Sequence, residues 1–158
     1  CPCLMFLAWA LRRFQGSVTM YKRLPVFLAA LWWGSLCSIG FVAVPMLFVN
    51  LPAPAMAGFM AAKLFAAQTW ISIACCGLLL VFSKRKHAEK IEEWAQAAIG
   101  FVVAGMLLAL IVQYGVSPKI VSRENLKLWH SVGTGMYALQ WLCAAIVLWR
   151  VAGVRKQA

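Results

Sequence analysis

Four apolar runs of about 19 to 24 residues each are the feature that most restricts this chain. They cover roughly residues 25–48, 64–82, 94–114 and 128–149, with polar or basic segments between them. An α-helix rises about 1.5 Å per residue, so roughly 20 apolar residues cross a hydrocarbon core about 30 Å thick. Membrane strands would show an alternation over roughly ten residues, which these runs lack. Lipid offers the backbone no hydrogen-bond partner, and a helix satisfies each span internally. A soluble domain is about half apolar and about a quarter charged. Here 64% of residues are hydrophobic and 12% are charged. A small domain in water leaves too much area exposed to hide that excess. The predicted fold is all-α, a four-helix transmembrane bundle.

Local signals place one membrane domain over residues 20–158. Residues 1–19 stand apart, because Met20-Tyr21-Lys22-Arg23 before an apolar run reads as a natural start. The apolar stretch from Cys3 to Leu11 is too short to span. It reads as an over-extended gene start or, alternatively, as an interfacial helix with Trp9 and Phe14 among headgroups. Pro45 predicts a bend or an end in the first helix. Asn50, Pro52 and Pro54 mark a turn, and residues 55–63 form a short helix leading into the second span. Gly115 and Pro118 read as the stop of the third span. Ser122 reads as the N-cap of the fourth, with Glu124 in its first turn.

The formal charge of +11 would suit nucleic acid on a polar domain, but the cations sit at the ends of apolar runs. There they report topology and contact with anionic headgroups, and no nucleic-acid partner is expected. One side collects Arg12, Arg13, Lys22, Arg23, Lys84, Arg85, Lys86, Lys90, Arg150, Arg155 and Lys156, and the excess survives removal of residues 1–19. The other collects Lys63, Lys119, Arg123 and Lys127. Cations favour the cytoplasmic side, so both termini are expected there.

Within lipid, the informative residues are polar ones that must face the bundle. His130, Thr134, Tyr137 and Trp141 form one stripe on the fourth span, and Gln68 and Ser72 with Cys75 or Cys76 form another on the second. Lys63, Gln68, Gln113, His130, Ser131, Thr134 and Tyr137 therefore make a candidate polar pocket opening to the non-cytoplasmic face. The competing reading gives these groups interhelical and interfacial hydrogen bonds without a ligand. Catalysis is not expected, because no acidic residue lies within a span to orient His130 or bind a metal. No cofactor is expected. The weaker alternative is copper or haem, with His130, Cys75 and Cys76 as candidate ligands. Cys37, Cys75, Cys76 and Cys143 lie within apolar runs and read as free, packed thiols. Gly100 with Ala104, Gly105 with Ala109, Gly34 with Ser38, and Ser131 with Gly135 read as packing faces, with a homo-oligomer seam as the alternative.

The stretch Leu31-Trp32-Trp33-Gly34-Ser35, leading to Phe41 and Val44-Pro45-Met46-Leu47-Phe48, resembles the first helix of the bacterial "domain of unknown function 4149" family. Ala62-Lys63-Leu64-Phe65 and Leu128-Trp129-His130-Ser131 resemble its second-helix entry and its final helix. Where the family tends to place Asn, this chain has Tyr137 or a neighbour. The resemblance covers roughly residues 24–150 and implies a four-helix protein of the bacterial cytoplasmic (inner) membrane, related to eukaryotic transmembrane protein 205. It implies no reaction. The expected function is a non-enzymatic membrane protein binding a small ligand or partner. A copper- or haem-linked protein using His130 is the alternative, and a small oligomeric transporter the third reading.

Overall fold

The computed structural model describes residues 23–86, 93–122 and 125–153. The expected N-terminal extension, Glu124, Lys90, Arg123, Arg155 and Lys156 lie outside the described residues. Four helices are long and apolar enough to cross a membrane, and there is no strand among the described residues. Helix α1 covers Arg23–Asn50, with a π-helical stretch at Ser38–Ala43 and an α-helical end at Val44–Asn50. Helix α2 is Pro54–Lys86, so the short lead-in and the second span form one continuous helix. Helix α3 runs through Glu93–Ile111, a π-helical stretch at Val112–Val116, and Ser117–Val121. Helix α4 is Leu126–Gly153.

The burial pattern identifies the solvent. In the most apolar window of each span, 22% to 33% of residues are buried inside the protein. Phe27, Val49, Trp70 and Trp149 are among the large apolar side chains that point outward. Water would not tolerate apolar belts of that extent on a monomer. Lipid tails do, and the backbone ladders of the helices leave lipid no unpaired polar group to meet. This chain is an integral, multi-pass membrane protein.

Packing supplies what the hydrophobic effect cannot between helices already in lipid. Trp32, Leu36, Cys75, Cys76, Leu79, Val102, Ala144 and Val147 join side chains from all four helices in one core. Trp32 of α1 reaches α3 because Gly105 has no side chain: a Cβ there would lie 2.5 Å from Trp32 Cη2. Helix α3 packs along α4 and also against α2. Gly133 of α4 leaves room for Val116 and Ile120 of α3: a Cβ there would lie 3.3 Å from Val116 Cγ1 and 3.6 Å from Ile120 Cδ1. Of the small residues singled out in the sequence, Gly105 and Ala109 are buried, whereas Gly34, Gly100 and Gly135 face open space.

Several expected helix boundaries are corrected. Pro45 does not end α1, and Gly115 and Pro118 do not end α3. In both helices a π stretch comes just before the proline. The Val44 N–H bonds Ile39 O, and the Ser117 N–H bonds Val112 O, each five residues back. The ladder therefore changes register where the proline lacks its donor and its ring needs room. Ser122 is not the N-cap of α4. Its N–H bonds Pro118 O and its hydroxyl bonds Lys119 O, so it closes α3. Asn125 starts α4 instead, with φ of 41° and a carbonyl that accepts from Leu128 and Trp129. Asparagine is among the few residues that adopt this left-handed backbone readily.

Candidate functional site

Helices α1, α2 and α4 each contribute uncharged polar side chains to one buried cluster. Gln68 and Ser72 lie four residues apart on α2, so they share a helix face. That face is turned inward, with Gln68 at 2% and Ser72 at 0% exposure. Ser35 and Trp32 are three apart on α1, and the Ser35 hydroxyl bonds Trp32 O at 2.9 Å. Gln140 of α4 completes the set at 3% exposure. Counting along α1, α2 and α4, these residues fall near the middle of their helices, where unpaired polar groups cost most.

Ser72 Oγ is the hub. Trp32 Nε1 approaches it at 3.2 Å, Gln140 Nε2 at 2.9 Å and Gln68 Nε2 at 3.3 Å. Gln68 Nε2 also donates to Ser35 Oγ at 3.0 Å. The result ties α1, α2 and α4 together through one hydroxyl. A hydroxyl oxygen has two lone pairs and one hydrogen, so three N–H donors exceed its capacity. Gln68 Oε1, meanwhile, is buried without a partner. Turning the Gln68 amide over removes the conflict at Ser72, which then accepts from Trp32 and Gln140 and donates to Gln68 Oε1. The Ser35 hydroxyl must then turn from Trp32 O to donate to Gln68 Oε1 as well. The unpaired end of Gln68 becomes its NH₂. In either orientation the protein leaves one end of this buried amide unsatisfied. Trp33 Nε1, also on α1, is a second buried donor without a partner.

A ring layer lies beside the cluster, toward the end that carries the 51–53 turn. Phe65 of α2 and Tyr137 of α4 meet edge-on with centroids 5.3 Å apart. The Tyr137 hydroxyl donates to Leu36 O at 2.8 Å, and the Gly40 N–H faces the hydroxyl oxygen of Tyr137. A regular α-helix would join the Gly40 N–H to Leu36 O directly. Gly40 permits this approach: a Cβ there would lie 2.6 Å from Tyr137 Cε1. Further aromatic contacts hold α4 on α1, including Trp33 with Trp141 at 6.0 Å and Trp141 Nε1 with Cys37 Sγ at 3.1 Å.

The residues singled out in the sequence divide between interior and surface. Gln68 and Tyr137 face neighbouring helices, and so does Ser72 of the same α2 row. Lys63 is exposed, with its ammonium 4.6 Å from the Phe59 ring centroid. Gln113 is half-buried, and His130, Ser131 and Thr134 are exposed. Ser131 and Thr134 donate to the carbonyls four residues back, Lys127 O and His130 O. Among the described residues no hydrogen bond links Lys63, Gln113 and His130. Cys75 and Cys76 pack in the apolar core, and among the described residues no three His, Cys, Asp or Glu side chains group to hold a metal ion. Sequence reasoning did not select Trp32, Ser35 or Gln140. Gln140 carried a usable signal, as a polar residue in an apolar run one turn from Tyr137.

Comparison with known proteins gives one family. No curated protein and no solved structure matches the chain. The family model described as Domain of unknown function (DUF4149) matches residues 27–128, more than half of the chain. The matched stretch contains Trp32, Ser35, Gln68 and Ser72, while Tyr137 and Gln140 lie beyond it. The four-helix membrane bundle and its Trp-Trp-Gly-Ser segment are thus those of a member of the DUF4149 family.

Proposed function

We propose that this protein is non-enzymatic and takes a small, uncharged, hydrogen-bonding molecule into the bundle, with Ser35, Gln68, Ser72 and Gln140 as the receiving groups. One observation carries the reading: a fully buried amide on α2 keeps one end unsatisfied beside three other polar side chains. Natural proteins satisfy nearly all such groups, so the vacancy points to a partner from outside the chain. The cluster has no charged member, and an ion near the middle of a span is costly, which favours a neutral guest. No nucleophile–base pair accompanies the cluster, in keeping with binding rather than chemistry. The Lys and Arg distribution supports a cytoplasmic location for both termini, so the ring layer would face outward from the cell. The family resemblance supports the bacterial inner membrane as its location.

Saturation-transfer NMR on protein in lipid nanodiscs, with urea, formamide and glycerol as probes, tests the reading. We expect transfer to at least one probe in the wild type and its loss in Gln68→Leu. Absence of transfer to all three would overturn it. A second reading, a metal- or haem-linked protein using His130, draws on an exposed imidazole without a hydrogen-bond partner among the described residues. Purified protein with a Soret band, or with stoichiometric copper lost in His130→Ala, would favour it; colourless, metal-free protein would remove it.

A further inference from the structure

We infer that Tyr137 and Phe65 form a gate over the buried polar cluster, held shut by the Tyr137 hydroxyl and opened when Gly40 bonds the Leu36 carbonyl directly. The inference rests on reading that cluster as a binding site. Tyr137 precedes Gln140 by three residues and Phe65 precedes Gln68 by three, so on these parallel helices both rings lie about 4.5 Å from the cluster on the same side. Leu36 and Gly40 follow Ser35 along α1, which runs the opposite way, and so reach that same level. The two rings are partly exposed, whereas Gln68, Ser72 and Gln140 behind them are buried. On the far side Cys75, Cys76, Leu79, Ala144 and Val147 close the bundle with apolar packing. The ring layer therefore borders the cluster on the side toward the 51–53 turn, while Ser35 of the cluster is itself partly exposed.

The latch is reversible because the groups it uses are complementary to each other. When Tyr137 withdraws, the Leu36 carbonyl and the Gly40 N–H become an ordinary helical pair, and no backbone group is orphaned. Closure brings its own cost in the unpaired end of Gln68, which a guest entering past the gate would satisfy. A device with two satisfied arrangements of one short segment is what a ligand can bias by binding one of them. The π stretch at Ser38–Ala43 supplies the segment, since it begins beside the latch and ends just before Pro45.

The test uses a Ser72→Cys thiol in full-length protein in nanodiscs, exposed to a membrane-impermeant methanethiosulfonate and read by peptide mass spectrometry. Gly40→Ala displaces the ring, and Tyr137→Phe removes the hydroxyl. Each should speed modification at position 72 by about tenfold, as expected for loss of one or two hydrogen bonds from the closed state alone. Gly100→Ala, which adds a methyl in open space, should leave the rate unchanged. The native Cys75 and Cys76 should stay unmodified throughout. Equal rates in all backgrounds would overturn the gate, even where the wild type still binds urea or formamide. Modification of Cys75 and Cys76 in step with position 72 would report unfolding and overturn it as well. Faster modification without binding of any neutral probe would uphold the gate and count against the binding reading alone.

Discussion

A single hydroxyl, Ser72 Oγ, is where three helices exchange hydrogen bonds, and its removal should be felt by all of them. Ser72→Ala leaves the indole of Trp32 and the amide of Gln140 without acceptors in a buried place. We expect it to lower unfolding free energy in detergent by about 1–3 kcal/mol, a range set by unpaired donors and the modest worth of hydrogen bonds in membranes. His130→Ala, at an exposed position, should change it by less than about 0.5 kcal/mol. Similar losses for the two variants would contradict the assignment of the interior. Glycines give a second contrast. Gly105→Ala places a methyl against Trp32 and should cost about 1–3 kcal/mol, whereas Gly100→Ala should be near neutral by the same measurement. At this scale the sequence revealed Gln68, Ser72 and Tyr137, because a polar side chain in an apolar run must find a partner. It hid Trp32, whose indole donor is easily read as mere bulk. The expected stripe on α4 is divided: Tyr137 and Trp141 bond to α1, whereas His130 and Thr134 stay on the surface. Thr134 satisfies its hydroxyl on the carbonyl one turn back, so it needs no neighbouring helix.

Helices α1 and α3 share a device that composition does not reveal. Each carries a π stretch followed one residue later by a residue-proline step, Val44-Pro45 in one and Ser117-Pro118 in the other. A proline normally breaks a helix because its i−4 hydrogen bond is missing and its ring clashes with that carbonyl. Here the ladder is already changing register, so both helices continue to the bundle end. Pro45→Ala and Pro118→Ala should therefore shift stability by no more than about 1 kcal/mol. Ala144→Pro, in the regular and buried part of α4, should cost about 3 kcal/mol or more. Thermal unfolding in detergent separates the two classes, and equal damage from all three would contradict the register argument. The apolar runs made the spans legible, since length and hydropathy act over many residues. The ends were less legible: Gly115, Pro118 and Ser122 carry stop and cap chemistry, but the tertiary context decides which helix each serves. Ser122 closes α3 rather than opening α4, and Asn125 takes the opening role through its left-handed backbone.

The whole molecule is a bundle whose apolar core encloses one polar cluster and whose exterior is apolar as well. Its core joins all four helices through Trp32, Leu36, Cys76 and Val147, and its polar hub ties three of them together. Most of the apolar surface points outward, where hydrocarbon is the solvent that costs nothing. That architecture was readable from the sequence because it depends on total apolar length rather than on any one contact. The arrangement of the interior was not, because helical spacing orders residues on a face without saying which neighbour the face meets. The claim on which all else stands is the fourfold crossing. Single reporter cysteines at positions 52 and 125, and at 83 and 153, tested with an impermeant maleimide in sealed oriented vesicles, examine it directly. Positions 52 and 125 should react from one face, and positions 83 and 153 from the other. Reaction of 52 and 125 from opposite faces, or release of the chain by alkaline carbonate, would contradict the account.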